Sequence, residues 1–451
     1  MGPTIIDPGI FKAYDIRALV GKEINGEVAY KIGRALVSHT GAKKIAVGYD
    51  MRPSSLEIEK GLIDGITDQG ADVIRVGMIG TPMIYYASWN LPVDAAVIVT
   101  ASHNPAEWNG MKFCYKDAVP IGEGSGMEEI RDLAIQSQFS DPEQKGKVEE
   151  NIELKEKYFN YITSFFKKGL SRKKVVIDFA NGMGILEKPI FERISEDVTA
   201  EYMHDELDGN FPNHEANPLK TETLADLQKA VVEKGADLGI AYDGDADRVG
   251  FVDEKGQIVP MDFPIALLGK EILKKQPGAL TLIDLRSSNA IGEALEKAGG
   301  RVGRCRVGHS LIKKQMREEG ATFAGELSGH YFFEENSKAE MTTLAIMMIL
   351  NLMNETGRKM SELADELRVY FQSGEINSVV EDKNVVMGEL KRVYAEGELS
   401  ELDGIRIDFA DWWFNVRPSN TEPVLRLNLE AKTKEMMEQK RDEVLAIIRK
   451  S

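Results

Sequence analysis

Apolar and polar positions fall along this chain in blocks that repeat. KKIAVGYD, KKVVIDFAN and LTLIDLRSS are short β-branched runs that each reach an aspartate: Asp50, Asp178 and Asp284. A polar loop and a helix-like stretch follow each one. Short apolar runs bounded by polar residues read as buried strands, and strand, loop, helix repeated at domain scale predicts duplicated α/β domains. Each unit then has a later strand running into a polar loop: DAAVIVT into TASHNP, ADLGIAYD into DGDADR, ATFAG into ELSGH. Ligands of α/β sheets bind outside the carboxyl ends of strands, so three such loops facing one another would build one site between domains.

From about Gly374 the pattern changes. A helix-like NVVMGELKRVYAEG precedes two strands, DWWFNV and VLRLNLEA, with RPSNTEP between them. The closing run has apolar positions at Met436, Met437, Val444, Leu445, Ile447 and Ile448, the spacing of an amphipathic helix. This predicts a small α+β domain. The polar DPEQKGKVEE, residues 141–150, reads as the first linker. The expected bounds are residues 1–146, 147–252 and 253–366 for the three α/β domains and 374–451 for the fourth.

Composition narrows the function. The chain has 451 residues and a net charge of −17, which argues against a general nucleic-acid surface while leaving room for a small anion in a locally basic cleft. The two cysteines, Cys114 and Cys305, have no metal-type or disulfide-framework spacing. The most apolar stretch, Met341 to Met353, is shorter than the roughly 18 residues of a membrane span. It reads as a buried helix. With no address segment recognisable, a cytoplasmic protein is expected.

Four loops carry candidate chemistry. In TASHNP, Ser102 follows an apolar strand, which predicts an exposed hydroxyl, with His103, Asn104 and, in NGMKF, Lys112 nearby; the same residues also suit a plain turn. In DGDADR, Asp243, Asp245 and Asp247 alternate, which in an extended loop puts three carboxylates on one side. Oxygen-only ligands favour Mg²⁺, Ca²⁺ or Mn²⁺, with open positions for a phosphate oxygen and Arg248 beside it. Glu254 falls where an EF-hand would place its last ligand, but Arg248 replaces the required glycine and the flanks are strands. A solvated acidic turn is the bland alternative. In GELSGH, Glu326 and Ser328 suit vicinal sugar hydroxyls and His330 proton transfer; a cap or turn reads as well, and His309 in RVGHSLIK is a weaker candidate. In RPSNTEP, Arg417, Ser419, Asn420 and Thr421 suit a phosphate dianion, with Arg426 adding charge, unless the segment is an ordinary hairpin turn.

These loops in this order, with FKAYDIR, NGMK, DGNFPNHEANP and VGHSLIK, resemble the α-D-phosphohexomutase family over essentially the whole chain, most closely its phosphomannomutase/phosphoglucomutase members. The resemblance implies three similar α/β domains with mixed sheets and a C-terminal α+β domain around a central active-site cleft. It implies a phosphoserine at Ser102 and Mg²⁺ held by Asp243, Asp245, Asp247 and a Ser102 phosphate oxygen. Arg17, His103 and Lys112 would stabilise charge, with Arg248 assisting; Glu326 and Ser328 would hold sugar hydroxyls. His309 and His330 would contact substrate, His330 as a candidate proton carrier. Arg417, Ser419, Asn420 and Thr421 would hold the unreactive phosphate. Ala18 stands where the family usually has glycine; alanine resists the positive φ that glycine permits.

The implied reaction moves a phosphoryl group between C1 and C6 through a hexose 1,6-bisphosphate. GELSGH is nearer the GEMSGH of phosphomannomutase/phosphoglucomutase members than the GEQSGH of phosphoglucosamine mutases. Mannose and glucose phosphates are therefore expected, with glucosamine phosphate as the enzymatic alternative and a catalytically silent sugar-phosphate binder as the non-enzymatic one. The implied partners are small sugar phosphates, with no nucleic acid or membrane, on a monomer or homodimer.

Overall fold

The apolar runs that reach Asp50, Asp178 and Asp284 are the strands Lys44–Tyr49, Lys173–Asp178 and Leu280–Asp284 of a computed structural model describing residues 5–169, 171–418 and 424–450. Each occupies the same place in its sheet. On one side it pairs in parallel with the next strand in sequence: Asp72–Met78, Val198–Met203 or Arg301–Cys305. On the other it pairs in parallel with the loop-bearing strand: Ala95–Val99, Leu238–Tyr242 or Phe323–Gly325. The chain then turns back antiparallel as Trp108–Tyr115, Val249–Asp253 or Tyr331–Phe333. A further antiparallel strand lies outside each return: Ile16–Leu19, Ile258–Val259 or Ala339–Glu340. Four strands keep one order in all three sheets, which makes the first three domains repeats of one mixed α/β topology; the outermost strand precedes them in the chain in the first domain and follows them in the other two.

This topology places the chemistry. TASHNP, DGDADR and GELSGH each connect a buried strand to its antiparallel return, so all three lie at the carboxyl ends of equivalent strands. The loop-bearing strands are buried on both faces, which is why they read as continuous apolar runs instead of alternating ones. One apolar cluster runs through all three sheets, from Ala46 past Val175 and Ile240 to Leu350. Helix Thr342–Thr356, the apolar stretch noted above, lies within it. No helix among the described residues is long and apolar enough to cross a membrane.

The fourth domain is an antiparallel sheet with its own core. Trp412–Pro418 and Val424–Ala431 pair at its centre. Helices Lys383–Val393 and Lys434–Ile448 supply Leu390, Met437, Val444, Leu445 and Ile448 to the core. Asp382 and Thr433 cap them, accepting hydrogen bonds from Asn384 and Met436 N–H groups at 2.8 and 3.2 Å.

Two sequence expectations change. Within the expected linker, Val148–Glu150 adds a parallel edge strand beside Asp72–Met78. All three residues are exposed, so backbone pairing alone makes the strand and no side-chain alternation announces it. Ala18 needs no special backbone: it is buried in strand Ile16–Leu19, paired with Asn109.

Candidate active site

Ser102 is not exposed at its strand end. It is 1% accessible, folded under its loop with φ at +53°, a conformation costing a non-glycine residue roughly 1–2 kcal/mol. Arg52 holds it there. Its guanidinium donates to the carbonyls of Ser102, Asn104, Pro105 and Trp108 at 2.6–2.9 Å, and Asp50 anchors it through Nε at 3.1 Å. The second domain presses against the same loop: a Cβ on Gly244 would sit 2.5 Å from the Ser102 carbonyl oxygen, so only glycine fits. The Ser102 hydroxyl is 3.3 Å from Asp243 Oδ2 and 3.1 Å from His103 Nδ1. Burial, then Arg248 and Arg17, holds the His103 pKa well below its ordinary value, so the ring is neutral. Arg17 donates to Asp15 and to Asn104.

The three aspartates converge because their loop turns, with Ala246 at φ +64°, and not because it is extended. They are 0–1% exposed, a floor beneath the cleft and not its surface. Lys112, on the return strand of the first domain, reaches across and donates to Asp245 Oδ2 and Asp247 Oδ2, both at 2.6 Å. Asp243 Oδ1 accepts the N–H groups of Asp247 and Arg248 at 3.0 and 3.2 Å. Burial, with Asp247 and Asp245 alongside, pushes the Asp243 carboxyl up; burial opposes but Lys112 and His330 overcome it and hold Asp247 down. Asp245 Oδ1 is buried without a hydrogen-bond partner, Asp247 Oδ1 has His330 Nε2 at 3.3 Å, and the three carboxylates bring one oxygen each within 4.8 Å of one another. An acidic cluster with an unfilled hard oxygen donor fits a divalent cation.

On the third domain, His330 Nδ1 meets Glu326 Oε2 at 2.8 Å and Ser328 Oγ at 2.9 Å. Its Nε2 is 3.3 Å from both Asp247 Oδ1 and Arg248 Nε. Accepting from Arg248 requires a bare Nε2, whereas donating to Asp247 from Nε2 and to Glu326 from Nδ1 together requires a charged ring. Carboxylates on both ring edges favour the charge: burial works against it, but Asp247 and Glu326 outweigh burial and Arg248 and lift the pKa to about 9. His309 begins helix His309–Glu319, with Tyr14 edge-on at 5.3 Å and Glu340 at 3.6 Å from Nδ1.

These groups surround a cavity of about 1780 Å³ to which all four domains contribute. Domain models described as phosphoglucomutase/phosphomannomutase alpha/beta/alpha domains I, II and III match residues 8–141, 156–256 and 261–370, and the C-terminal domain model of that family matches 375–447. The chain belongs to this family. A phosphomannomutase of Methanocaldococcus jannaschii is 41% identical over 447 residues, 98% of each chain. One of Escherichia coli strain K12 is 37% identical over 432 residues, 94% of each. The crystal structure of a phosphoglucomutase/phosphomannomutase family protein from Burkholderia thailandensis superposes with a TM-score of 0.89 at 30% identity, covering 98% of this chain and 97% of that one.

In this family member the residues singled out from the sequence gather at one cavity. Arg17, His103, Lys112, Arg248, His309, Glu326, Ser328, His330, Arg417 and Arg426 line it, and Ser102 and the aspartates lie beneath. Ser419, Asn420 and Thr421 lie outside the described residues. Arg417 is the last residue but one of the strand Trp412–Pro418, its Nε buried and without a hydrogen-bond partner among the described residues. Burial and then Arg286 lower its pKa, with Asp403 and Glu375 opposing them. Sequence reasoning missed Arg52 and Arg286. Arg286 lines the cavity, held by Asp284 at 2.8 Å and 3.3 Å from Glu326 Oε1. The signal was present: Asp-x-Arg closes the first strand of both the first and third units, at Asp50-Met51-Arg52 and Asp284-Leu285-Arg286.

Proposed function

We propose that the protein interconverts hexose 1-phosphate and hexose 6-phosphate, with mannose and glucose as the sugars, through a phosphoryl group carried on Ser102. The observation that carries this reading is the pairing of two anion-holding poles in one cavity. Ser102, beside Asp243, lies beneath one pole, and Arg417 with Arg286 forms the other. A bisphosphosugar that turns between two transfers needs both.

The phosphoserine Oγ–P bond breaks as a sugar hydroxyl attacks phosphorus, giving the bisphosphate; the attacking hydroxyl gives up its proton and Ser102 Oγ takes one up, leaving a free serine hydroxyl. After the sugar turns, its other phosphate returns to Ser102, whose hydroxyl proton passes to His103 Nδ1, 3.1 Å away. Asp243, Asp245 and Asp247 would hold Mg²⁺, which when bound neutralises charge on the transferring group. Arg17, Lys112 and Arg248 contribute positive charge at that pole; Glu326 and Ser328 hold sugar hydroxyls, and His330 exchanges a proton with the attacking or leaving oxygen. Hexose 1,6-bisphosphate then serves as intermediate and activator. The reading places the enzyme in the cytoplasm, as a monomer or homodimer acting on small sugar phosphates.

Peptide mass spectrometry tests it: Ser102 should carry a phosphoryl group removable by excess hexose monophosphate, and Ser102→Ala should lose nearly all turnover. Wild-type turnover in Ser102→Ala would reject the assignment.

A further inference from the structure

The strand-end aspartates of the three repeats are held differently. Asp50 and Asp284 each bind an arginine two residues on, at 3.1 and 2.8 Å. In the second repeat that position is Ala180, and Asp178 faces two histidines instead: His204 Nδ1 at 2.9 Å from Oδ1 and His214 Nε2 at 3.0 Å from Oδ2. The histidine rings meet edge to face at 4.9 Å, and the three ligand atoms lie within 4.8 Å of one another. Where its sister repeats supply a permanent cation, this one supplies two imidazoles.

The second ring nitrogen of His214 sharpens the chemistry. Nδ1 is 2.8 Å from the Glu215 carbonyl oxygen, which only accepts, so Nδ1 carries the proton. In a neutral ring Nε2 is then a bare lone pair aimed at a carboxylate oxygen. That arrangement requires a positive charge between them, either a second proton or a metal ion. An Nδ1–H donated to a backbone carbonyl is also the arrangement that orients a histidine for metal binding through Nε2.

We propose that Asp178, His204 and His214 form a zinc-class metal site, separate from the aspartate loop. Two imidazole nitrogens and one carboxylate oxygen suit Zn²⁺ and its neighbours, not Mg²⁺, and leave a position for water. Asp178 is buried, while the His204 and His214 side chains are 15% and 18% exposed, which gives solvent access. The two histidines bracket the segment 205–213, which packs on Arg52: the Phe211 ring lies 5.2 Å from its guanidinium, and a Cβ on Gly209 would come within 2.6 Å of the Arg52 Cα. A metal here would fasten that segment against the residue that shapes the Ser102 loop.

The test uses untagged full-length protein, stripped with chelator and returned to saturating Mg²⁺. One equivalent of Zn²⁺ should bind and raise Tm, and Co²⁺ should give the visible absorption of a nitrogen-ligated ion. His204→Gln and His214→Gln should each weaken Zn²⁺ binding at least tenfold while Mg²⁺-dependent turnover stays within a few-fold of wild type. Undiminished Zn²⁺ affinity in both variants would overturn the proposal. So would wild-type protein that takes up no Zn²⁺, or that binds Co²⁺ with an oxygen-only spectrum; these readings need no variant to fold. Either result would leave His214 as an imidazolium paired with Asp178.

Discussion

Arg52 donates from Nη2 to the carbonyl oxygen of Ser102 at 2.7 Å, so the guanidinium of one buried residue sets the backbone of another. Arg52→Lys keeps a charge near Asp50 but cannot span four carbonyls from one planar group. Misplacing a reacting group by about 1 Å costs on the order of 10²-fold. We expect kcat to fall roughly 10- to 100-fold with KM little changed. Steady-state kinetics on folded variant check this, and wild-type kcat would show that the loop keeps its shape unaided.

If Arg417 holds the unreactive phosphate as proposed, Arg417→Ala should raise KM at least tenfold, about 1.4 kcal/mol, through loss of a charge-assisted contact. It should also release bisphosphosugar between the two transfers. Tm should hold, since removing Arg417 relieves its repulsion with Arg286. Unchanged KM with no released intermediate would take Arg417 out of the phosphate site.

Glu326 accepts from His330 at 2.8 Å, Gly308 N–H at 3.2 Å and Arg286 at 3.3 Å, so its carboxylate is fixed before any sugar arrives. If it holds hydroxyls common to mannose and glucose, kcat/KM for the two 1-phosphates should agree within roughly tenfold. Glu326→Gln should then slow both by similar factors. A thousandfold preference between the hexoses, or glucosamine 1-phosphate as the best substrate, would contradict this.

Glu187 is buried between the second and third domains, bonded by Thr343 and Tyr158. Burial pushes its pKa up to about 8. A carboxyl whose folded pKa exceeds its unfolded value stabilises the fold fully below the unfolded pKa, near 4.5, and loses that contribution as pH rises toward 8. Unfolding free energy should therefore decline across that window by up to about 1.4 kcal/mol per pH unit from this group. Glu187→Gln should flatten that decline in denaturant titrations at several pH values. Parallel wild-type and variant pH profiles would show that Glu187 does not carry the proton.

The repeats were legible because a strand buried on both faces must be a continuous apolar run. Its loop then shows as an abrupt polar block, as Val99 passes to TASHNP and Tyr242 to DGDADR. Val148–Glu150 was not legible, because an exposed edge strand is held by backbone bonds that any side chains permit. Ser102 was misplaced as exposed for a related reason: a strand end faces solvent only until another domain covers it, and here Gly244 does.

By itself the sequence determined the residue types of the site, the order of its loops, and three units followed by a different fourth, since these follow from local patterning. Which side chains meet was decided only by the tertiary structure. Lys112 and Asp245 come from different domains yet stand 2.6 Å apart, and Asp247 faces His330 from another domain at 3.3 Å. No spacing along the chain encodes such contacts. They arise because equivalent sheets, packed through one shared apolar core, aim the carboxyl ends of their strands at a common cavity. There burial removes the water that would otherwise screen these charges, and each charge must find its partner across a domain boundary.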